Sequence, residues 1–231
     1  MSINNRNSSP FGITVPNEFP VQNYLSVMER INKYKDVLNE YWEEFVGGWK
    51  SIAFKFKECN SQNTLFCESI RTNGISPAPE ARYKQEINLF VFFVSGISVV
   101  ESFYYSIYFL GSLLDDSKFP SSDIVKKRIW PDSVVKGYKK CFRNESITYK
   151  LEEINNANEF VDWKENRNIL VHRSLPGRLF HSGGEHDGKA FWKLKGIDIN
   201  TNLTLDRYQW LSSTITSLIN EAEEFSKKYL K

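Results

Sequence analysis

The chain of 231 residues has 41% hydrophobic and 25% charged side chains, so a folded core can form and global disorder is excluded. Its 30 basic and 28 acidic residues leave a net charge of only +2, so bulk charge indicates neither a nucleic-acid-binding nor a membrane protein. The chain has three cysteines, and this odd number argues against a disulfide framework. No two of them have the C-x-x-C spacing of a zinc ribbon.

The N-terminal 20 residues are polar and contain Pro10, Pro16 and Pro20, which predicts a flexible arm. A single domain is then expected over residues 21–231. The start of the chain lacks the apolar stretch of a secretory signal peptide. Together with the cysteine count, this leads us to expect a cytoplasmic protein with free thiols.

The arm is followed by a helical pattern. Apolar residues recur every three or four positions from Val21 to Cys59, which is the spacing of one helix face. Gly47 and Gly48 interrupt this series, and we expect a kink or a weak point there. A short polar link then leads to a helical turn around residues 65–71.

The next element is predicted to be a long helix, about Pro79 to Leu114, that is apolar on nearly all sides. Within it, the stretch from Leu89 to Leu114 is long enough to span a bilayer and carries one charged residue, Glu101. A carboxylate near the centre of a membrane is costly, and the amphipathic helices elsewhere need an apolar partner. We therefore favour a buried central helix over insertion into a membrane.

The remainder of the chain is predicted to be helical apart from one β-hairpin. Two short apolar segments flank a glycine-rich stretch, which predicts a hairpin insertion at about 178–195. The predicted fold class is all-α, a helical bundle with a long buried central helix and a small β-hairpin insertion before the C-terminal helix. The other expected elements are a loop with a small helical piece over 115–131, helices over 131–142 and 146–173 with a break near 155–158, and a final helix over 206–231.

One segment carries a pattern typical of a catalytic site. Arg167 and His172 enclose four residues, and Asn168 directly follows the arginine. The spacing alone is a weakly specific signal, and the adjacent asparagine makes a chance match less frequent. The pattern resembles the R-x4-H signature of the HEPN superfamily, whose members are helical bundles with the motif late in the fold. In architecture, the resemblance covers about residues 21–173. The alternative is a surface arginine and a histidine that lies favourably near a helix end.

The resemblance implies a metal-independent endoribonuclease without a cofactor. In that reaction the 2′-OH of RNA attacks the adjacent phosphate and leaves a 2′,3′-cyclic phosphate. His172 would be the general base or acid, Arg167 would bind the phosphate, and Asn168 would orient either group. The resemblance also implies a homodimer that acts on RNA as a toxin or antiviral effector, with a possible antitoxin or regulatory partner.

Two other functions remain open from the sequence. One is a HEPN dimer that binds nucleotide or RNA, or acts as a scaffold, without cutting. The other is an unrelated helical protein whose apolar helix contacts a membrane. Because intact Arg167, Asn168 and His172 favour the enzyme, we retain it as the first hypothesis.

Glu101 is the fourth candidate catalytic residue, because a carboxylate in an apolar helix needs a partner. The resemblance implies an acidic residue in an early core helix that points to the motif, so we expect Glu101 to contact Arg167 or His172. The alternative is an acid that reaches solvent at a helix edge. Further pocket candidates near it are Ser102, Tyr104 and Tyr105.

Basic residues near the motif are expected to contact the RNA backbone. The alternative is a solvated basic helix face. No metal site is expected, because the cluster of His181, Glu185, His186 and Asp187 falls in a glycine-rich hairpin tip without helical register. The candidate RNA-binding residues are Arg173, Lys139, Lys140 and Arg178.

Overall fold

The computed structural model describes residues 12–36, 39–180, 190–194 and 196–230. The described chain is mostly helical with a small antiparallel sheet, so the predicted all-α fold with a hairpin insertion is confirmed. The helices are α1 (Val21–Asn32), α2 (Asn39–Asn73), α3 (Pro79–Leu114), α4 (Asp123–Lys126), α5 (Pro131–Cys141), α6 (Ser146–Asn155), α7 (Asn158–His172) and α8 (Thr201–Tyr229), and the strands are β1 (Gly177–Phe180), β2 (Ala190–Leu194) and β3 (Ile197–Asp198).

Helix α3 is the centre of the fold, and α2, α5, α7 and α8 all pack on it. Its bounds agree with the prediction. By length and composition α3 alone, within the described residues, could cross a membrane, but most of its apolar stretch is buried inside the protein. A helix that is apolar on all sides is stabilised when other helices surround it, as they do here.

Helices α2 and α3 form an antiparallel hairpin. The side-chain amide of Gln85 donates to the carbonyl of Ser69 near the turn between them, and Lys55 Nζ donates to Ser102 Oγ further along. The glycine pair does not end the helix, because α2 continues through it without interruption. Gly48 instead permits close helix contact, since a Cβ there would lie 2.5 Å from Ser106 Oγ.

The break in the predicted first helix falls earlier in the chain, where α1 ends at Asn32 and α2 begins at Asn39. The helical turn expected at 65–71 is the last part of α2. The break expected near 155–158 is confirmed, because α6 ends at Asn155 and α7 begins at Asn158.

Helix α7 runs antiparallel to α3. Near its start, Phe160 stacks on Tyr104 with ring centroids 6.4 Å apart. One turn later, Trp163 lies over an earlier part of α3, where its Nε1 donates to the carbonyl of Phe93 at 2.9 Å. A Cβ at Gly96 would lie 2.0 Å from Trp163 Cζ2, so this glycine makes room for the indole. The C-terminal end of α7 is thereby directed toward the start of α3.

The flexible arm predicted for residues 1–20 is wrong for residues 12–20. Residues 12–20 belong to the domain, because Val15 and Phe19 are buried. The ring of Phe19 lies 5.2 Å from that of Tyr24 and 5.4 Å from that of Phe56. Prolines do not prevent an extended segment from docking, and burial of the apolar side chains between them stabilises the docked state. Residues 1–11 lie outside the described part of the chain.

The hairpin prediction is confirmed for its two strands. β1 and β2 pair antiparallel, and β3 adds a short third strand that the sequence pattern did not predict. The turn before β3 uses Gly196 at φ +83°, a conformation that favours glycine. The tip at 181–189, with the weak metal pattern, lies outside the described residues. Helix α8 begins earlier than expected because Asn200 accepts a capping hydrogen bond from the Leu203 backbone.

Candidate functional site

An ion pair between α3 and α7 forms the centre of the candidate site. Arg167 Nη2 lies 2.8 Å from Glu101 Oε1, and the two side chains are 25% and 29% exposed. The expected contact between Glu101 and the motif is therefore confirmed for Arg167. Helical side chains tilt toward the N-terminus of their own helix, so the two side chains converge across this antiparallel pair.

Two lysines add to the charge around Glu101. Lys55 reaches from α2 and donates to Ser102 Oγ at 2.9 Å, while Lys164 precedes Arg167 by one helical turn. Burial raises the pKa of the Glu101 carboxyl above its ordinary value, although attraction to Arg167, Lys55 and Lys164 offsets part of this shift. Burial also lowers the pKa of Lys55, with Glu101 acting in the opposite direction. Such a cluster of groups with shifted pKa values is typical of functional sites.

A cleft of about 370 Å³ lies on one side of Glu101, between α2, α3 and the start of α5, and is called the Glu101 cleft below. Its lining combines charged, aromatic and apolar side chains with two glycines. A Cβ at Gly47 would meet no atom within 4 Å, so the cleft is open at that position. The lining residues are Glu44, Gly47, Gly48, Ser51, Lys55, Glu101, Ser102, Tyr105, Ile129, Trp130 and Pro131.

Of the three pocket candidates next to Glu101, Ser102 and Tyr105 line the cleft. Tyr104 does not, because it is buried and its hydroxyl donates to the carbonyl of Leu151 at 2.6 Å. Tyr105 donates to the second carboxylate of the cleft, Glu44, which also pairs with Lys126 at 2.7 Å. Burial raises the pKa of Glu44, but these hydrogen bonds outweigh it and leave the pKa below its ordinary value.

Asn168 and His172 lie on the last turns of α7 and are exposed. They are four residues apart and therefore share a helix face. His172 is five residues beyond Arg167, about 7.5 Å along the helix axis, and on the side toward the start of α3. No hydrogen bond or ion pair joins His172 to Arg167 or Glu101 within the residues that the structure describes. The fold brings Arg167 and Glu101 together but does not bring His172 to them.

The expected RNA-binding residues differ in their surroundings. Arg173 is exposed directly after His172, and Lys140 is exposed on α5. Lys139 is half exposed and forms an ion pair of 2.7 Å with Glu152. These three side chains are therefore accessible to a ligand.

Arg178 is different, because its side chain is only 9% exposed. Its guanidinium lies over the ring of Trp192, 3.7 Å from the centroid, and donates to Gln85 Oε1 at 2.9 Å. Arg178 also pairs with Glu86 at 3.4 Å. These contacts fasten β1 and β2 to α3, so the structure gives Arg178 a packing role and does not favour the expected contact with RNA.

The site contains three residues that were not predicted from the sequence, Lys55, Lys164 and Trp130. For Lys164 a signal was present, because residues three apart on a helix are neighbours and Arg167 was already a candidate. For Lys55 and Trp130 no local signal exists, since only the packing of α2 and α5 on α3 brings them to Glu101. Among the described residues, no group of three metal-ligating side chains is found.

Comparison with known proteins adds no relative: no family model matches the chain, and neither the curated proteins nor the solved structures give a match. The function of this chain is therefore inferred from the chemistry of the site itself.

Proposed function

We propose that the protein is a cytoplasmic, metal-independent endoribonuclease of HEPN type. The observation that carries this proposal is the ion pair between Arg167 of the R-N-x3-H pattern and Glu101 of the central helix. A carboxylate in an apolar helix costs desolvation free energy. Its pairing with the motif arginine, while Asn168 and His172 stay exposed, supports a role of this arginine in holding a ligand.

The proposed reaction divides the work between these side chains. Arg167 binds the scissile phosphate and stabilises the charge that develops on it in the transition state. His172 transfers a proton, either from the attacking 2′-OH or to the departing 5′ oxygen. Asn168, on the same helix face as His172, orients the phosphate or the imidazole. Glu101 is a positioning residue that fixes the guanidinium of Arg167.

Two proton transfers are needed, and one chain supplies one His172. We therefore propose a homodimer in which two motifs face each other. Apolar side chains near the C-terminal end of α7 support this, because Val171, Leu175 and Tyr83 are all exposed there. A second copy would cover this apolar surface and bring a second histidine to the site.

An unregulated ribonuclease would degrade the RNA of its own cell. We therefore propose a role as a toxin or antiviral effector, with an antitoxin or another regulatory partner that controls it.

The test is cleavage of a panel of RNAs in excess EDTA by the wild-type protein and by Arg167→Ala and His172→Ala. We expect products with 2′,3′-cyclic phosphate ends and a rate that is about 10²–10⁴-fold lower in each variant. Arg143→Ala, which removes an exposed arginine outside the motif, is the matched control and should cleave like the wild type. Equal cleavage by all four proteins would contradict the proposal.

The second candidate function is binding of RNA without cleavage. It is favoured by one observation, that no hydrogen bond within the described residues orients His172 toward Arg167 or Glu101. In this case, the same panel would show RNA that stays intact, with binding weakened by Arg167→Ala and unchanged by His172→Ala.

A further inference from the structure

The Glu101 cleft has the size and the chemistry of a site for one small aromatic ligand. Its volume of about 370 Å³ is at the low end of the range of small-molecule sites. An indole, a carboxylate and an ammonium group line it together, from Trp130, Glu101 and Lys55. The cleft and the motif share Glu101, since its carboxylate both lines the cleft and pairs with Arg167.

Trp130 offers a flat apolar surface at this cleft. Its side chain is 60% exposed, although burial of an indole ring would stabilise the folded protein. Its backbone is held at the start of α5, because its N–H donates to Ser133 Oγ at 3.0 Å and that hydroxyl donates to its carbonyl at 2.7 Å. An exposed aromatic ring on a fixed backbone is a typical platform on which a nucleobase stacks.

The polar groups of the cleft differ in how many of their hydrogen-bonding positions are already used within the protein. Both oxygens of Glu44 are engaged, by Lys126 and by Tyr105. Glu101 accepts from Arg167 through Oε1, and no hydrogen bond from the described residues reaches its Oε2. Lys55 donates to Ser102, which leaves further ammonium protons for a ligand. The cleft therefore presents a carboxylate acceptor close to an ammonium donor.

This combination fits the edge of guanine better than that of the other bases. Guanine carries two neighbouring N–H donors, at N1 and N2, beside the O6 acceptor. A carboxylate accepts from two adjacent donors, and an ammonium group donates to the neighbouring oxygen. Adenine and cytosine offer a single exocyclic donor on that edge, and uracil offers one ring N–H.

We propose that the Glu101 cleft binds one unstacked guanine base of an RNA strand. The base stacks on Trp130, its N–H groups donate to Glu101, and its O6 accepts from Lys55. The inference rests on the proposed function in that RNA is the ligand, and it adds that cleavage takes place beside a guanosine. Arg167, which is bonded to Glu101, then lies next to the backbone of the bound nucleotide.

The test uses two fluorescent 2′-O-methyl decamers, decauridine and the same strand with one central guanosine. Neither can be cleaved, because the 2′ oxygen carries a methyl group and cannot attack. Wild-type protein should bind the guanosine strand about tenfold more tightly, measured by fluorescence anisotropy. Trp130→Ala should lower the affinity for this strand about 5–150-fold, and Trp130→Phe should retain part of it.

Phe54→Ala is the matched control, because Phe54 is also 60% exposed, lies on α2 and does not line the cleft. It should bind both strands like the wild type. Equal affinity of wild-type protein for the two strands, or a guanosine preference that survives Trp130→Ala, would overturn the proposal. A central adenosine or cytidine that binds as tightly as guanosine would overturn the assignment of guanine.

The two proposals fail in different ways. A guanosine preference that depends on Trp130, in a protein that cuts no RNA, supports the base site and contradicts the nuclease. Cleavage that depends on His172, with no preference for guanosine in either binding or cut position, supports the nuclease and contradicts the base site.

Discussion

The middle and the end of α7 carry the two halves of the motif in different environments. Arg167 lies where α7 packs on α3, and its guanidinium is held by Glu101. His172 is the last residue of the helix and is exposed. A charged hydrogen bond is stronger where water is partly excluded, so the first environment fixes a cation in place. The second environment keeps the imidazole of His172 accessible to a substrate. The two environments therefore suit different roles, binding of the phosphate by a fixed Arg167 and proton transfer by an exposed His172.

The largest expected effect is a loss of stability when the part of α7 that packs on α3 is changed. Trp163→Ala should lower the free energy of unfolding by about 3–5 kcal/mol, because it empties the space above Gly96 and removes the hydrogen bond to Phe93. His172→Ala should change it by less than about 0.5 kcal/mol, because His172 is exposed. Urea denaturation followed by circular dichroism measures both.

A comparable loss of stability in the two variants would contradict the distinction between the two halves. Trp130→Ala is the control for the loss of an indole, since this tryptophan is exposed and its removal leaves no cavity. It should resemble His172→Ala rather than Trp163→Ala.

A smaller effect is expected on activity when Glu101 is changed. Glu101→Ala should lower kcat/KM for RNA cleavage by about 10–100-fold, because the charged hydrogen bond that orients Arg167 is lost. Glu101→Gln should lose less, since an amide oxygen still accepts from the guanidinium. Rescue by glutamine indicates positioning through the hydrogen bond. Equal losses in the two variants would show that the negative charge itself is required.

The smallest effect is a dependence of stability on pH. The pKa of Glu101 is raised in the folded protein, mainly by burial and against the attraction of Arg167, Lys55 and Lys164. The folded state therefore holds this proton more tightly than the unfolded state, and stability falls as pH rises from the ordinary carboxyl range through the raised pKa.

The measurement is the difference in the free energy of unfolding between wild-type protein and Glu101→Gln from about pH 4 to about pH 7. Relative to the variant, the wild type should lose stability as the pH increases. A gain in relative stability over this interval would show that the ion pair outweighs the cost of burial.

Several features could be predicted because their signals are local. The run of apolar residues after Pro79 predicted α3 with its observed bounds, and the glycine-rich stretch between two apolar segments predicted the hairpin strands. The need of Glu101 for a partner, joined to the resemblance of the motif, predicted a contact with Arg167 or His172, and the structure shows the one with Arg167. The nuclease activity, the dimer and the partner stay predictions.

Other features were decided only by the tertiary structure. From the sequence, the pair Gly47 and Gly48 predicted only a kink or a weak point, whereas the structure shows that Gly48 permits the close approach of α2 to α3. Arg178 was expected from the sequence to contact RNA, yet its guanidinium packs on Trp192 and donates to Gln85. Trp130 joins Glu101 in one cleft only because α5 packs beside the α2–α3 hairpin. Hydrophobic periodicity records which face of a helix is buried, whereas the partner that buries it depends on contacts between residues far apart in the chain.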